Sequence, residues 1–130
     1  MTDARLLLRR FMLALCIWRE ARGESLHGKR LVAQVIVNRM HDPRWPSSIV
    51  GVVTQRKQFS CFNPGDPNAL LFPAETDRAW MDCVTAADDV LSGPETFTDA
   101  NHYHTTGVAP AWADPRNIVA REGAHVFYRL

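Results

Sequence analysis

Apolar residues recur at helical spacing through the first forty positions of the chain. Leu7, Phe11, Ala14, Leu15 and Trp18 fall on one face of a helix over residues 3–21, and Gly23 marks its end. Leu31, Val32, Val35, Ile36 and Met40 give a second apolar stripe and predict a helix over 28–40. Pro43 and Pro46 then force a loop, since neither can continue a helix, and Ser47 or Ser48 can cap a short third helix over 49–54. Residues 58–62 read as extended, and Asn63-Pro64-Gly65-Asp66-Pro67-Asn68 is dense turn chemistry. Trp80, Val84, Ala87 and Leu91 line a fourth helix over 74–91, stopped by Ser92-Gly93-Pro94. The pattern then changes: 102–105 and 125–128 read as short strands, with a loop over 108–115 between them. The prediction is a mostly helical α+β domain with a small C-terminal sheet, spanning residues 1–130 as one unit.

Composition narrows the partners. A chain of 130 residues suits one core, and 46% apolar with 22% charged residues is the balance of an ordinary globular domain. The net charge of +1 gives no global field for nucleic acid, and Arg9-Arg10 and Lys29-Arg30 read as solvated helix faces. Arg9-Arg10 also interrupt the apolar run of the N-terminal segment, and no small-residue cleavage site follows it, so it reads as a folded helix and not as a signal peptide. No apolar stretch reaches the length of a membrane span. Synthesis in a cytoplasm, no stable membrane insertion and a monomer are the expectations. Cys16, Cys61 and Cys83 form neither a disulfide framework nor a zinc pattern, and Cys16 and Cys83 are expected to be buried free thiols.

Three groups of residues invite chemistry. Glu20 and Glu24 stand four apart where the first helix ends. If the helix persists they share a face; burial near Trp18 and a second carboxylate would both raise a carboxyl pKa, which is how a glutamate becomes a general acid near neutral pH. Arg19 and Arg22 would oppose this if turned inward, and a surface Glu/Arg network at a helix terminus is the bland reading. His102 and His104 share one face of a strand, and His41 or His125 would complete a metal site, but a His-x-His pair is weak evidence for zinc. Cys61 with His104 or His125 could form a nucleophile–base pair, without any local signature of a reactive thiol. Trp45, Phe59, Phe62, Tyr103 and Trp112, with Gln58, Asn63, Asn101 and the histidines nearby, suit either a sugar groove or a second small core beneath the sheet.

Five segments in order carry a resemblance. Ile17-Trp18-Arg19-Glu20-Ala21-Arg22-Gly23-Glu24 resembles the GEARGE signature of the SleB/CwlJ cell-wall hydrolases, the spore-cortex-lytic family. Val32 to Arg39 is similar to that family's VANVILNR helix. Trp45-Pro46, Ile49, Gly51-Val52-Val53 and Gln58-Phe59-Ser60 match its next stretch. His102-Tyr103-His104, Val108, Pro110, Trp112-Ala113 and His125-Val126-Phe127-Tyr128 match its C-terminal pattern. The resemblance covers about 13–128 and departs from the signature at Arg19, where the family often has glycine.

The resemblance implies a lysozyme-related fold and cleavage of the β-1,4 bond between N-acetylmuramic acid and N-acetylglucosamine in bacterial peptidoglycan. The usual family chemistry is that of a lytic transglycosylase, with no cofactor and no metal. It implies Glu20 as the catalytic residue, Glu24 as candidate second carboxylate, and Gln58, Phe59, Ser60, Tyr103, His104 and Trp112 as substrate-binding candidates. The rivals are a muramidase using Glu20 and Glu24 with water, a zinc or cysteine peptidase acting on stem peptides, and a binding module that does not cut. A leaderless catalytic domain further resembles a bacteriophage endolysin, released from the host cytoplasm to act on the wall.

Overall fold

The computed structural model describes residues 3–55 and 60–130. Four helices lead into a three-stranded antiparallel sheet: α1 (Ala4–Ala21), α2 (Leu26–Met40), α3 (Ile49–Thr54), α4 (Arg78–Ser92), then β1 (His102–Thr105), β2 (Ile118–Glu122) and β3 (His125–Tyr128). The sheet order is β1-β3-β2. Short 3₁₀ turns at Ser60–Phe62, Pro67–Leu70 and Pro115–Asn117 occupy the connections. The molecule is thus mostly helical α+β, as the apolar pattern predicts.

Side-chain caps set the helix starts. Asp3 accepts from Arg5 N at the head of α1, Ser25 from Gly28 N at α2, Ser48 from Gly51 N at α3 and Asp77 from Trp80 N at α4. Two of these move the predicted boundaries: α2 begins two residues before Gly28, and α4 begins at Arg78, four residues after Ala74. The extended reading of 58–62 is corrected where it can be followed, because Ser60–Phe62 is a 3₁₀ turn; Gln58 and Phe59 lie outside the described residues.

Leu13 and Ile17 of α1, Val32, Val35 and Ile36 of α2, Val52 and Val53 of α3, and Ala86 and Ala87 of α4 form one core, which Phe127 of β3 joins. α1 packs against α2, α3 and α4, and α2 against α4. Burial of α1 begins only at Leu13; Leu7 and Phe11, predicted on the buried face, are about half exposed, because the first turns of α1 lie at the margin of this core. In α4 the deepest positions are Cys83, Ala86, Ala87 and Val90, and the predicted Trp80, Val84 and Leu91 flank them half-buried. No helix among the described residues is long and apolar enough to cross a membrane.

α2 is buried on its polar side too, and those polar side chains carry the sheet. The Asn38 side-chain amide donates to Thr98 O (3.0 Å) and Ala100 O (2.8 Å), Gln34 Oε1 accepts from Phe97 N (3.3 Å), and Arg39 Nε donates to Asn101 O (2.7 Å). Buried backbone carbonyls need such partners. Meeting them from one helix fixes the segment 97–101, and with it the start of β1.

Candidate active site

Glu20 is in the last turn of α1, one residue before the helix ends. Burial raises its carboxyl pKa above the ordinary value, because the charged form loses water. The Cys61 thiol pulls the other way, and the negative charge of Asp66 adds to the rise. Tyr103 approaches from β1: its phenol pKa is pushed well up, first by burial and then by the charge of Glu20. The groups whose charge is felt at Glu20, or that feel its charge, are Cys16 of its own helix, Cys61 and Asp66 of the 61–72 segment, and Tyr103 of the sheet.

The two arginines beside Glu20 turn elsewhere. Arg19, only 6% exposed, donates from Nε and Nη2 to Leu71 O (3.1 and 3.0 Å) and from Nη1 to Cys61 O (3.3 Å). Arg22 folds back over the Trp18 ring, 4.6 Å from its centroid, and donates to Trp18 O (3.2 Å) at the frayed helix end. Neither guanidinium is among the causes that set the Glu20 carboxyl.

Glu24 has a different environment. The helix stops at Ala21, so Glu20 and Glu24 do not share a helical face, and the like-charge coupling expected between them is replaced by that of Glu20 with Asp66. Glu24 reaches 100 residues along the chain, where Oε1 accepts from Ala124 N (3.0 Å) and from His125 Nδ1 (2.8 Å). It clamps the turn between β2 and β3; at the start of α2 it offers only its backbone oxygen, to Lys29 Nζ (2.6 Å). His125 is 4% exposed and stands edge-on to Tyr103, ring centroids 5.3 Å apart, so the clamp buttresses the wall that Tyr103 presents to Glu20.

Gly123 completes the clamp. Its φ is +55°, and a Cβ there would come within 2.5 Å of Glu24 Oε1. Gly123→Ala is expected to cost about 1–2 kcal/mol from the left-handed backbone alone, plus displacement of Glu24. Urea denaturation should show the loss; a midpoint equal to the parent's would mean the turn is not held as described.

Strand alternation divides the other candidates. Tyr103 faces His125 and Phe127, whereas His102 and His104 lie on the opposite face of β1 with Tyr128 and Trp112. Tyr103 and His104, both substrate-binding candidates, therefore take opposite faces of the sheet. His104 Nδ1 donates to Thr105 O (2.7 Å), which leaves Nε2 to accept from the Tyr128 hydroxyl (2.7 Å). The His102 pKa is lowered to about 4, by burial and then by Arg39 and Arg44, and its Nδ1 meets Asn101 Oδ1 at 2.8 Å. Trp112 packs on both histidines and Tyr128, as a second small core would. Ser60 opens the 3₁₀ turn beside Cys61. Cys16, Cys61 and Cys83 are free and buried.

Fold and site together define the class: a mostly helical α+β domain with a small antiparallel sheet and, in the last turn of its first helix, a glutamate whose pKa burial raises. The model of the Cell Wall Hydrolase family matches residues 23–128, and the chain belongs to that family. The spore cortex-lytic enzyme of Bacillus subtilis (strain 168) is 31% identical over 117 residues, covering 89% of this chain and 36% of that protein. Its counterpart in Halalkalibacterium halodurans is also 31% identical, over 89% of this chain and 33% of its own length. The chain thus spans about a third of these relatives. Among solved structures, the catalytic domain of the germination-specific lytic transglycosylase SleB from Bacillus anthracis superposes with a TM-score of 0.75 at 26% identity, over 93% of both chains. The catalytic domain of Bacillus cereus SleB shares the fold at a TM-score of 0.75 and 23% identity.

Proposed function

We propose that this domain cleaves the glycan strands of bacterial peptidoglycan as a lytic transglycosylase, with Glu20 as acid and then base. One observation carries the reading: Glu20 is desolvated and its pKa raised, while Glu24, the other carboxylate of the signature, is committed to Ala124 N and His125. A single carboxylate suits a cycle without water. Protonated Glu20 donates to the glycosidic oxygen between N-acetylmuramic acid and N-acetylglucosamine, and the C1–O bond breaks through an oxocarbenium-like transition state. The carboxylate then takes the proton of the muramyl C6 hydroxyl as that oxygen bonds to C1. Glu20 ends protonated, and the product is a 1,6-anhydro sugar. Tyr103 borders the reacting sugar, and the 61–72 segment forms the facing wall.

The transglycosylase named in the SleB structure supports this choice over the muramidase, and the engagement of Glu24 argues in the same direction. Release from a host cytoplasm as a bacteriophage endolysin is the setting we propose for such a domain. Purified sacculi should release soluble muropeptides on incubation with the protein, at the same rate before and after exhaustive EDTA treatment; intact strands would point to a binding module. Cys61→Ser keeps a donor beside Glu20 and should keep most of this activity. Its complete loss in a folded protein would revive a cysteine nucleophile.

A further inference from the structure

Arg19 occupies the position where the signature often has glycine, and its surroundings give it a task. Its guanidinium carbon lies over two phenyl rings, 4.9 Å from the centroids of both Phe62 and Phe72. In the plane, its N–H groups fork onto Leu71 O and Cys61 O. Stacking on aromatic faces while donating in plane is what a planar guanidinium does and an ammonium cannot. The two carbonyls it ties lie ten residues apart, at either end of the segment that carries Cys61 and Asp66 toward Glu20. Arg22 adds a weaker tie from Nη2 to Asn68 Oδ1 (3.4 Å).

The outer part of that segment has little else to hold it. Leu70 is 85% and Phe72 65% exposed, so this lip lacks the apolar burial that fixes a loop elsewhere. A buried cation satisfied by backbone carbonyls and two ring faces replaces it.

Resting on the reading of Glu20 as the acid, we propose that Arg19 is a positioning residue of this enzyme: it bolts the 61–72 segment across the end of α1 and so builds the wall that keeps water from Glu20. Releasing the bolt lets the segment swing out and hydrate the carboxylate. The groups facing Glu20 are Cys16 on α1, Cys61 and Asp66 on the segment, and Tyr103 on β1. Of these, only the two on the segment move with it. Hydration and the departure of Asp66 both lower the Glu20 pKa, and they outweigh loss of the Cys61 contact, because burial is the largest cause of the present rise.

The test is the titration of the Glu20 carboxyl carbon by NMR in the parent, Arg19→Lys and Arg19→Gly, with Phe72→Leu, which removes one of the two rings against the guanidinium, as a milder probe. Glu20 should titrate above the ordinary carboxylate range in the parent and lower in all three variants, least so in Phe72→Leu. Turnover at neutral pH in Arg19→Lys should fall roughly tenfold to a hundredfold, the cost of a small misplacement, with its alkaline limb moved to lower pH. An unchanged Glu20 titration in folded variants, with only the melting temperature reduced, would overturn the proposal and leave Arg19 a structural residue. The carboxyl titration needs no substrate, so it stands even if sacculi are not cleaved; absent cleavage by the parent would count against the function and not against the bolt.

Discussion

Glu20→Gln is expected to remove glycan cleavage, by at least ~10²-fold on the usual worth of general acid catalysis, in a protein that stays folded. The amide keeps the shape of the carboxyl and loses the proton that must be delivered. Because burial raises the Glu20 pKa, the protonated form is favoured in the folded state, and its contribution to stability is complete below the unfolded pKa. As pH rises through the folded pKa the carboxylate ionises inside the wall and that contribution is lost. Glu20→Gln does not ionise, so its melting temperature should equal the parent's in acid and exceed it slightly at neutral and alkaline pH. The parent's activity should fall on the alkaline side over the same interval. A Glu20→Gln protein that still cleaves, or that is less stable at neutral pH than in acid relative to the parent, would show that this carboxyl is not the desolvated acid.

The second large effect belongs to Glu24, and it is on stability. Glu24→Ala leaves Ala124 N without its acceptor and His125 Nδ1 without its partner, at a site where His125 is buried. A cost of about 2–4 kcal/mol is expected, from two N–H donors left without an acceptor at a largely buried site. Glu24→Gln keeps an acceptor, so it should cost less and retain measurable turnover. Equilibrium unfolding of both variants beside the sacculus assay separates the roles: Glu20 variants lose catalysis at unchanged or higher stability, and Glu24 variants lose stability first. A folded Glu24→Gln protein with no activity, beside an active Glu20→Gln, would reverse the assignment.

What could be read from the chain follows from the range of each interaction. The helices announce themselves because apolar spacing and caps are local: Leu31 to Ile36 predicts α2, and Ser25 and Asp77 carry the cap chemistry that sets the true starts of α2 and α4. No strand is legible over β2, because the hydropathy of Ile118-Val119-Ala120-Arg121-Glu122 alternates only weakly and its pairing shifts register between Ile118 and Ala120. The place of Glu20 at the end of an apolar helix makes its burial legible, whereas its part as an acid is implied only by the resemblance. The clamp from Glu24 to His125 was not, because its halves lie 101 residues apart and no local signal links them. The split between Tyr103 and His104 was available from strand alternation alone and follows from taking β1 as a strand. Arg19 could be located as a departure from the signature, but its partners at Cys61 and Leu71 belong to a loop whose path only the fold defines.

The most direct measurement is the mass of the new glycan ends. Sacculi digested by the parent protein, analysed by mass spectrometry without prior reduction, should yield muropeptides ending in 1,6-anhydro-N-acetylmuramic acid, one water lighter than the hydrolytic product, and the same digestion with Glu20→Gln should yield none. Reducing N-acetylmuramic acid ends from the parent, or anhydro ends that persist in Glu20→Gln, would contradict the single-carboxylate mechanism.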